Sequence, residues 1–238
     1  MDNNKKTIII KISGGSLKGK DGIFDVEQVE NLVKQIKLLS KKYNIVITVG
    51  GGNIFRGSYA KEFGISRNDA DNMGMLATTI NAILLQNVLK RDESFFKVKI
   101  FNSIPTDSIC EFYTPQRVIE ALNSEYVCIL ASGTGNSYFT TDSGIALRAT
   151  QLNVDFILMG KNGVDGVYDK DPNKFKDAKR FDKLTYQDIL DMNLEIMDKT
   201  ALTICEENNI KIIVFNVDKE NGIVNALDDK CLKTVISK

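Results

Sequence analysis

Residues 127–148, VCILASGTGNSYFTTDSGIALR, decide how the rest of the chain is read. The apolar run Val127 to Ala131 stops at Ser132-Gly133-Thr134-Gly135-Asn136. A second polar run, Thr140-Thr141-Asp142-Ser143, leads into Gly-Ile-Ala-Leu-Arg, which is helical in character. A buried strand therefore ends in a glycine loop, and a helix starts just after it. In α/β sheets, ligands bind where strand ends meet such loops. Glycines let backbone N–H groups approach an anion closely, and a helix N-terminus adds about half a positive charge. Thr140 and Thr141 supply hydroxyls at the same spot, and Asp142 supplies a carboxylate. The stretch reads as a site for a phosphorylated ligand, with a carboxylate for a metal ion. The bland alternative is a plain strand-to-helix turn with an N-cap.

Strand and helix signals alternate on both sides of this stretch. Upstream, Thr7 to Ile12 is a β-branched strand ended by Gly14 and Gly15. Val26 to Tyr43 has a helical apolar period, Ile45 to Val49 is a strand closed by Gly50-Gly51-Gly52, and Asp69 to Leu89 is a long helix. Val98 to Phe101 is a strand, and Pro115 to Leu122 is a helix with proline in its first turn. Downstream, Val154 to Met159 is a strand, Gly160 to Asp171 a loop, and Asp177 to Asp182 an exposed charged segment. Thr185 with Asp188 forms a capping box before a helix through Asp191. A helix over Asp198 to Asn208, a strand over Ile210 to Asn216, a short helix over Gly222 to Leu227 and an edge strand over Thr234 to Ile236 complete the reading. Repeated β-α units predict a mostly parallel sheet with helices on both faces. One domain with two lobes is expected.

The 238 residues suffice for a sizeable core, and 31 basic residues cancel 31 acidic ones. No basic excess points to nucleic acid or an anionic membrane. No apolar run approaches the ~18 residues of a membrane span, and the polar start is unlike a signal peptide. Cys110, Cys128, Cys205 and Cys231 lie far apart with no C-x-x-C, so ordinary thiols of a reducing compartment are expected. There is no histidine. Ser-His-Asp and Cys-His catalysis are excluded, as are histidine-ligated metal sites. Chemistry must rest on Lys, Arg, Asp, Glu, hydroxyls and backbone.

Several familiar patterns fail. Gly14-x4-Gly19-Lys20 imitates a P-loop, but Asp21 stands where Ser or Thr should bind magnesium. Gly50-x-Gly52 and Gly133-x-Gly135 each open a dinucleotide fingerprint, but Phe55 and Tyr138 occupy the third glycine position. Asp169-x-Asp171 starts like a calcium loop, then meets Pro172 and Asn173. What survives are three glycine loops after three strands: Lys11-Ile12-Ser13-Gly14-Gly15, Gly50-Gly51-Gly52-Asn53 and Gly133-Thr134-Gly135-Asn136. In a parallel sheet they share one edge, and their amides can converge on a polyphosphate. Lys11 ends the first strand, where its ammonium reaches that phosphate. A lysine near a strand end is usually solvated, but the glycines beside it favour function.

These residues resemble the bacterial-type uridylate (UMP) kinases of the amino-acid kinase family. The matching segments are Lys11-Ile-Ser-Gly14, Gly50-Gly-Gly-Asn-Ile-Phe-Arg-Gly57, Asp71-Asn-Met-Gly-Met-Leu-Ala77, Gly133-Thr-Gly-Asn136 with Phe139-Thr-Thr-Asp142, Val164-Asp-Gly-Val-Tyr168 with Asp171-Pro172, and Val214-Phe-Asn216. They run in order over nearly the whole chain. The resemblance implies a three-layer αβα sandwich with an acceptor lobe over about 1–152 and an ATP lobe over about 153–238. It implies transfer of the ATP γ-phosphate to UMP with magnesium, in pyrimidine nucleotide synthesis in the cytoplasm. It also implies a homohexamer built from dimers, with GTP and UTP as effectors.

By the same resemblance, Lys11, Ile12, Ser13, Gly14 and Gly52 hold ATP phosphates, and Asn162, Tyr168 and Asp171 line the adenine and ATP-ribose pocket. Gly51, Arg56 and Thr141 hold the UMP phosphate, with Arg56 near the transferred group. Asp71 binds the ribose hydroxyls. Thr134, Gly135, Asn136, Ser137, Tyr138, Phe139, Thr140 and Thr141 wrap uracil and ribose. Separately from the resemblance, the bulk of Tyr138 and Phe139 is expected to limit the room for a second ring and so exclude purines. Asp142 orients Lys11 and the metal–phosphate complex. Gly15, Ser137 and Tyr138 depart from the common Glu, Pro and Phe of the family, and Gly19 to Phe24 matches its GTP-responsive segment poorly. Two other readings share these residues: a sister kinase acting on a carboxylate or carbamate, and a non-catalytic nucleotide sensor. Arg56 and the Phe139–Asp142 segment favour a nucleotide acceptor over the first. The presence of both Lys11 and Asp142 argues against the second.

Overall fold

Strands of five or six aliphatic residues recur along the chain, each followed by a segment of helical period. In the computed structural model, which describes residues 5–20, 22–91, 96–228 and 230–238, they become, in chain order, β1 (Thr7–Ile12), α1 (Val26–Ser40), β2 (Asn44–Val49), α2 (Gly57–Glu62), α3 (Arg67–Arg91), β3 (Val98–Asn102), β4 (Glu111–Phe112), α4 (Pro115–Asn123), β5 (Val127–Ala131), α5 (Thr141–Gln151), β6 (Phe156–Lys161), β7 (Val167–Tyr168), β8 (Arg180–Phe181), β9 (Lys183–Thr185), α6 (Tyr186–Asp191), α7 (Lys199–Glu207), β10 (Lys211–Asn216), α8 (Gly222–Leu227) and β11 (Lys233–Ser237). Among the described residues one nine-stranded sheet runs β4-β3-β5-β2-β1-β6-β10-β11-β9. Every pairing in it is parallel except β10 with β11. β7 and β8 form a separate antiparallel ribbon.

Side chains alternate across the central strands, so the sheet carries a core on each face. Ile9, Val46, Cys128, Ile157 and Val214 pack with α4, α5 and α7 through Val118, Ile145, Ala149 and Leu202. Ile8, Ile10, Ile47, Ile129, Leu158 and Phe215 pack with α1, α3 and α8 through Leu32, Ile36, Leu85 and Ile223. The expected αβα sandwich is observed.

Four details correct the sequence reading. The strand expected at Val154 to Met159 starts at Phe156, because the Val154 N–H still closes α5 on Ala149 O. The loop expected over Gly160 to Asp171 contains the end of β6 and all of β7. The charged segment Asp177 to Asp182 contains β8, whose Arg180 and Phe181 are half-buried. β11 is not an edge strand: β9, three residues long, adds outside it and buries Leu184. The capping box at Thr185 and Asp188 is formed. Cys110, Cys128 and Cys205 are buried thiols and Cys231 is half-buried. No helix among the described residues is long and apolar enough to cross a membrane.

Candidate active site

β5, β2 and β1 are neighbours and parallel, so the three glycine loops leave the sheet side by side. The first two touch backbone to backbone: a Cβ on Gly14 would lie 2.6 Å from Gly52 N and 2.7 Å from Asn53 N. Only glycine permits that approach. The P-loop imitation is not one, since Gly14–Leu17 is a 3-10 turn capped by Ser13; Asp21 lies outside the described residues. The other two loops are pinned to α3. Asn53 and Asn81 exchange amide hydrogen bonds of 2.7 and 3.1 Å, and Asn81 Nδ2 donates to Gly50 O at 2.7 Å. The Ser132 N–H donates to Thr78 Oγ1 at 2.7 Å.

α5 begins at the same edge. Thr140 Oγ1 accepts from the Asp142 and Ser143 N–H groups at 3.1 and 3.2 Å. Its hydroxyl donates to Asp198, which also accepts from Ser143 Oγ at 3.0 Å. Asp198 in turn caps α7 through Ala201 N at 2.9 Å. Burial alone would raise the Asp198 pKa, but the bonds from Thr140, Ala201 and Ser143 outweigh it and hold the carboxyl below its ordinary range. Two residues past Thr140, Asp142 forms a mostly buried ion pair with Lys11.

Three clefts meet this edge. The central one, about 370 Å³, is lined by Lys11, Ser13, Gly14, Gly51, Gly52, Arg56, Thr140, Thr141 and Asp142. Arg56 Nε donates to Gly52 O at 2.9 Å. A second cleft of about 300 Å³ shares Gly51, Gly52, Thr140 and Thr141, and adds Asp71, Thr134, Asn136 and Phe139. A third, about 440 Å³, is lined by Asn162, Tyr168 and Asp171 among others. Each has the size of a small-molecule site. Asn162 bridges the third cleft to the first loop: its Oδ1 accepts from Ser13 Oγ at 3.1 Å, and its Nδ2 donates to Asp218 at 2.7 Å. The Tyr168 hydroxyl donates to Asp165 at 2.6 Å, a bond that raises its pKa. Asp171 accepts from the Asn173 N–H at 2.9 Å, which keeps its carboxyl below the ordinary range.

Some expected residues do not face a cleft. The Ile12 side chain is in the core, so only its backbone is available. Gly135, Ser137 and Tyr138 do not line the second cleft. Ser137 Oγ donates to Asn68 Oδ1 at 2.7 Å. The Tyr138 ring is turned out, 68% exposed, under the Arg67 guanidinium, while its N–H donates to Asp71 at 2.7 Å. Of the two aromatics expected to limit ligand size, only Phe139 lines the second cleft. Asp71 is also paired with Arg67 at 3.0 Å.

Two residues of the site escaped the sequence reading. Asp198 was legible only as a helix start. Lys161 ends β6 beside β1, lines the third cleft and donates to Ile196 O at 2.8 Å. Burial lowers its pKa, Lys11 lowers it further, and Asp142 opposes both. Nothing in its sequence neighbourhood marks it apart from its place at a strand end, the feature that marked Lys11.

The model of the amino acid kinase family matches residues 6–216. The chain is 47% identical to the uridylate kinase of Malacoplasma penetrans (strain HF-2), over 99% of this chain and 74% of that one. Its fold superimposes on the crystal structure of UMP kinase from Ureaplasma parvum with a TM-score of 0.95, at 46% identity over 98% of this chain and 99% of the other. Against the UMP kinase of Bacillus anthracis the TM-score is 0.92, at 36% identity over 98% and 96% of the two chains. With matches of this extent over nearly the whole chain, the chain belongs to the amino acid kinase family, among its uridylate kinases.

Proposed function

We propose that this chain transfers the γ-phosphate of ATP to UMP, giving UDP and ADP. The observation that carries the reading is the Lys11–Asp142 pair at the floor of a glycine-lined cleft, flanked by two further clefts. The second cleft takes UMP: Asp71 meets the ribose, Thr134 and Asn136 meet the base, and Gly51, Thr141 and Arg56 meet the phosphate. The third takes the nucleoside of ATP against Asn162, Tyr168 and Asp171. Lys11, Ser13, Gly14 and Gly52 hold the phosphates between them. Residues 1–152 then form the acceptor lobe and 153–238 the ATP lobe.

Phosphoryl transfer has a loose, charge-spread transition state, so catalysis rests on positioning and electrostatics. The attacking oxygen belongs to a phosphate with a second pKa near ~6 and is largely anionic at neutral pH. No general base is needed, which suits a chain without histidine. Lys11 and Arg56 supply fixed positive charge, and Asp142 keeps the Lys11 ammonium aimed into the cleft.

Asp142 is the one carboxylate among the residues lining the central cleft, and the described residues hold no cluster of three metal-ligating side chains. That suits magnesium carried on nucleotide phosphates and touched by one carboxylate. Bound there, the ion would neutralise charge on the moving phosphoryl group. We assign the chain to the cytoplasm and to pyrimidine nucleotide synthesis, as a homohexamer with GTP and UTP as effectors; size-exclusion chromatography and assays with each nucleotide test these points. The test of the activity is UDP formation from ATP, magnesium and UMP, with acetylglutamate and carbamate as competing acceptors. Phosphorylation of either acid in preference to UMP would overturn it.

A further inference from the structure

Arg148 lies on α5, two turns beyond Asp142, and lines none of the three clefts. It is 5% exposed, and no carboxylate pairs with it among the described residues. Burying a guanidinium without an anion is costly, so its remaining contacts must do something an apolar side chain would not. Its guanidinium carbon lies over the Tyr113 ring, 3.7 Å from the centroid, and one terminal nitrogen donates to Gln151 Oε1 at 2.7 Å. The other donates to Ser103 Oγ at 2.9 Å and to Gly133 O at 3.1 Å. Ser103 Oγ itself donates to Gly133 O at 2.9 Å. One carbonyl thus receives two hydrogen bonds from a buried cation and the hydroxyl it holds.

Gly133 is where the chain leaves β5 for the second cleft. Ser132 and Gly133 are both left-handed, with φ of 61° and 53°. The serine at least is strained there. Two residues on, Gly135 has φ of 80°, and a Cβ on it would lie 2.6 Å from Ser103 O. Residue 103 therefore braces the loop at both Gly133 and Gly135. Between and beyond those braces stand Thr134 and Asn136, the two side chains of this loop segment that line the cleft.

We infer that Arg148, acting through Ser103, is a positioning residue that locks the Gly133 carbonyl and so sets the direction in which Thr134 and Asn136 meet the nucleotide base. The inference rests on the UMP reading of the second cleft. Loosening the brace leaves Lys11, Asp142 and the third cleft intact, so it should cost base recognition before it costs phosphoryl transfer.

The experiment measures kcat and KM for UMP, CMP and ATP in the wild-type chain, Arg148→Met and Ser103→Ala, with Tm recorded for each. Ser103→Ala removes one hydroxyl and no buried charge, and it tests the brace even where Arg148→Met fails to fold. The expected result is a rise in KM for UMP of about five- to tenfold, the scale of one lost hydrogen bond. The preference for UMP over CMP should fall by a similar factor, with KM for ATP and kcat within twofold of wild type. A folded variant with a lower Tm and unchanged UMP kinetics would overturn the inference, leaving Arg148 a packing residue. A fall in kcat with KM for UMP unmoved would overturn it too. A wild-type chain that forms no UDP would overturn the acceptor reading itself, and the inference with it.

Discussion

The second and third clefts are built from different kinds of chain. The second is framed by the ends of β2 and β5, by the long helix α3 and by the first turn of α5. Its loops are short, and buried polar side chains hold them: Asn53, Asn81, Thr78 and Ser132. The third cleft takes residues from the end of β6, the β7 turn and the segment after α6. Two of its turn side chains are held locally, Tyr168 by Asp165 and Asp171 by Asn173, while Asn162 and Lys161 at the end of β6 are held across the fold. A cleft on strand ends gets its geometry from the sheet; a cleft on turns must supply its own. The first kind should therefore be the more selective for its ligand, and the more sensitive in chemistry to single changes.

The largest effect expected from that contrast is base selectivity in the second cleft. Uracil presents O4 as acceptor and N3–H as donor, and cytosine reverses both. Each buried mispairing costs about 1–3 kcal/mol. Two would favour UMP over CMP by roughly 10² to 10⁴ in kcat/KM. CMP used within tenfold of UMP would show that Thr134 and Asn136 do not read the base. Between the clefts, Lys11→Ala should lower kcat by roughly 10²-fold or more, the scale of one lost electrostatic stabiliser. Unchanged kcat in a folded variant would remove Lys11 from the mechanism. Asp142→Asn should lower kcat by about ten- to a hundredfold, the scale of a charged hydrogen bond. A rise in KM for UMP with kcat intact would make Asp142 an acceptor contact instead. In the third cleft, Asn162→Ala should raise KM for ATP by only about fivefold; a change confined to UMP would place Asn162 on the wrong side of the transfer. The smallest effect belongs to Thr185→Ala, away from every cleft. Losing that cap should cost about 1 kcal/mol, a fall of roughly 2–4 °C in Tm by calorimetry. A loss of kcat there would contradict its purely structural assignment.

The same contrast decides what could be read from the residues alone. β1, β2 and β5 announce themselves as aliphatic runs that stop at glycine, and a parallel sheet places their ends together. Lys11 was legible because it sits at such a stop, and Asp142 because it opens the helix that follows one. Lys161 sits at one too, but its reach to Ile196 depends on a fold-back of 35 residues that no local pattern records. Asp198 reads as the start of a helix and is its N-cap; its second task, on Thr140 and Ser143, is a contact across more than 50 residues. Tyr138 was expected against the ligand, yet its φ of 71° and the Arg67 guanidinium hold the ring outward. Strand β9 was missed because three residues, Lys183-Leu184-Thr185, are too few to show an alternation. The third cleft was legible only through the family resemblance of its segments, since turns carry no period.

The most direct test of the account is a steady-state assay of the purified chain with ATP, magnesium and one acceptor at a time: UMP, CMP, acetylglutamate or carbamate. UMP should give UDP and ADP in equal amounts, at a kcat/KM at least about a hundredfold above every other acceptor. ATP consumed with acetylglutamate or carbamate, or no UDP from UMP, would contradict the central claim that the cleft between α3 and the β5 loop is a uridylate site.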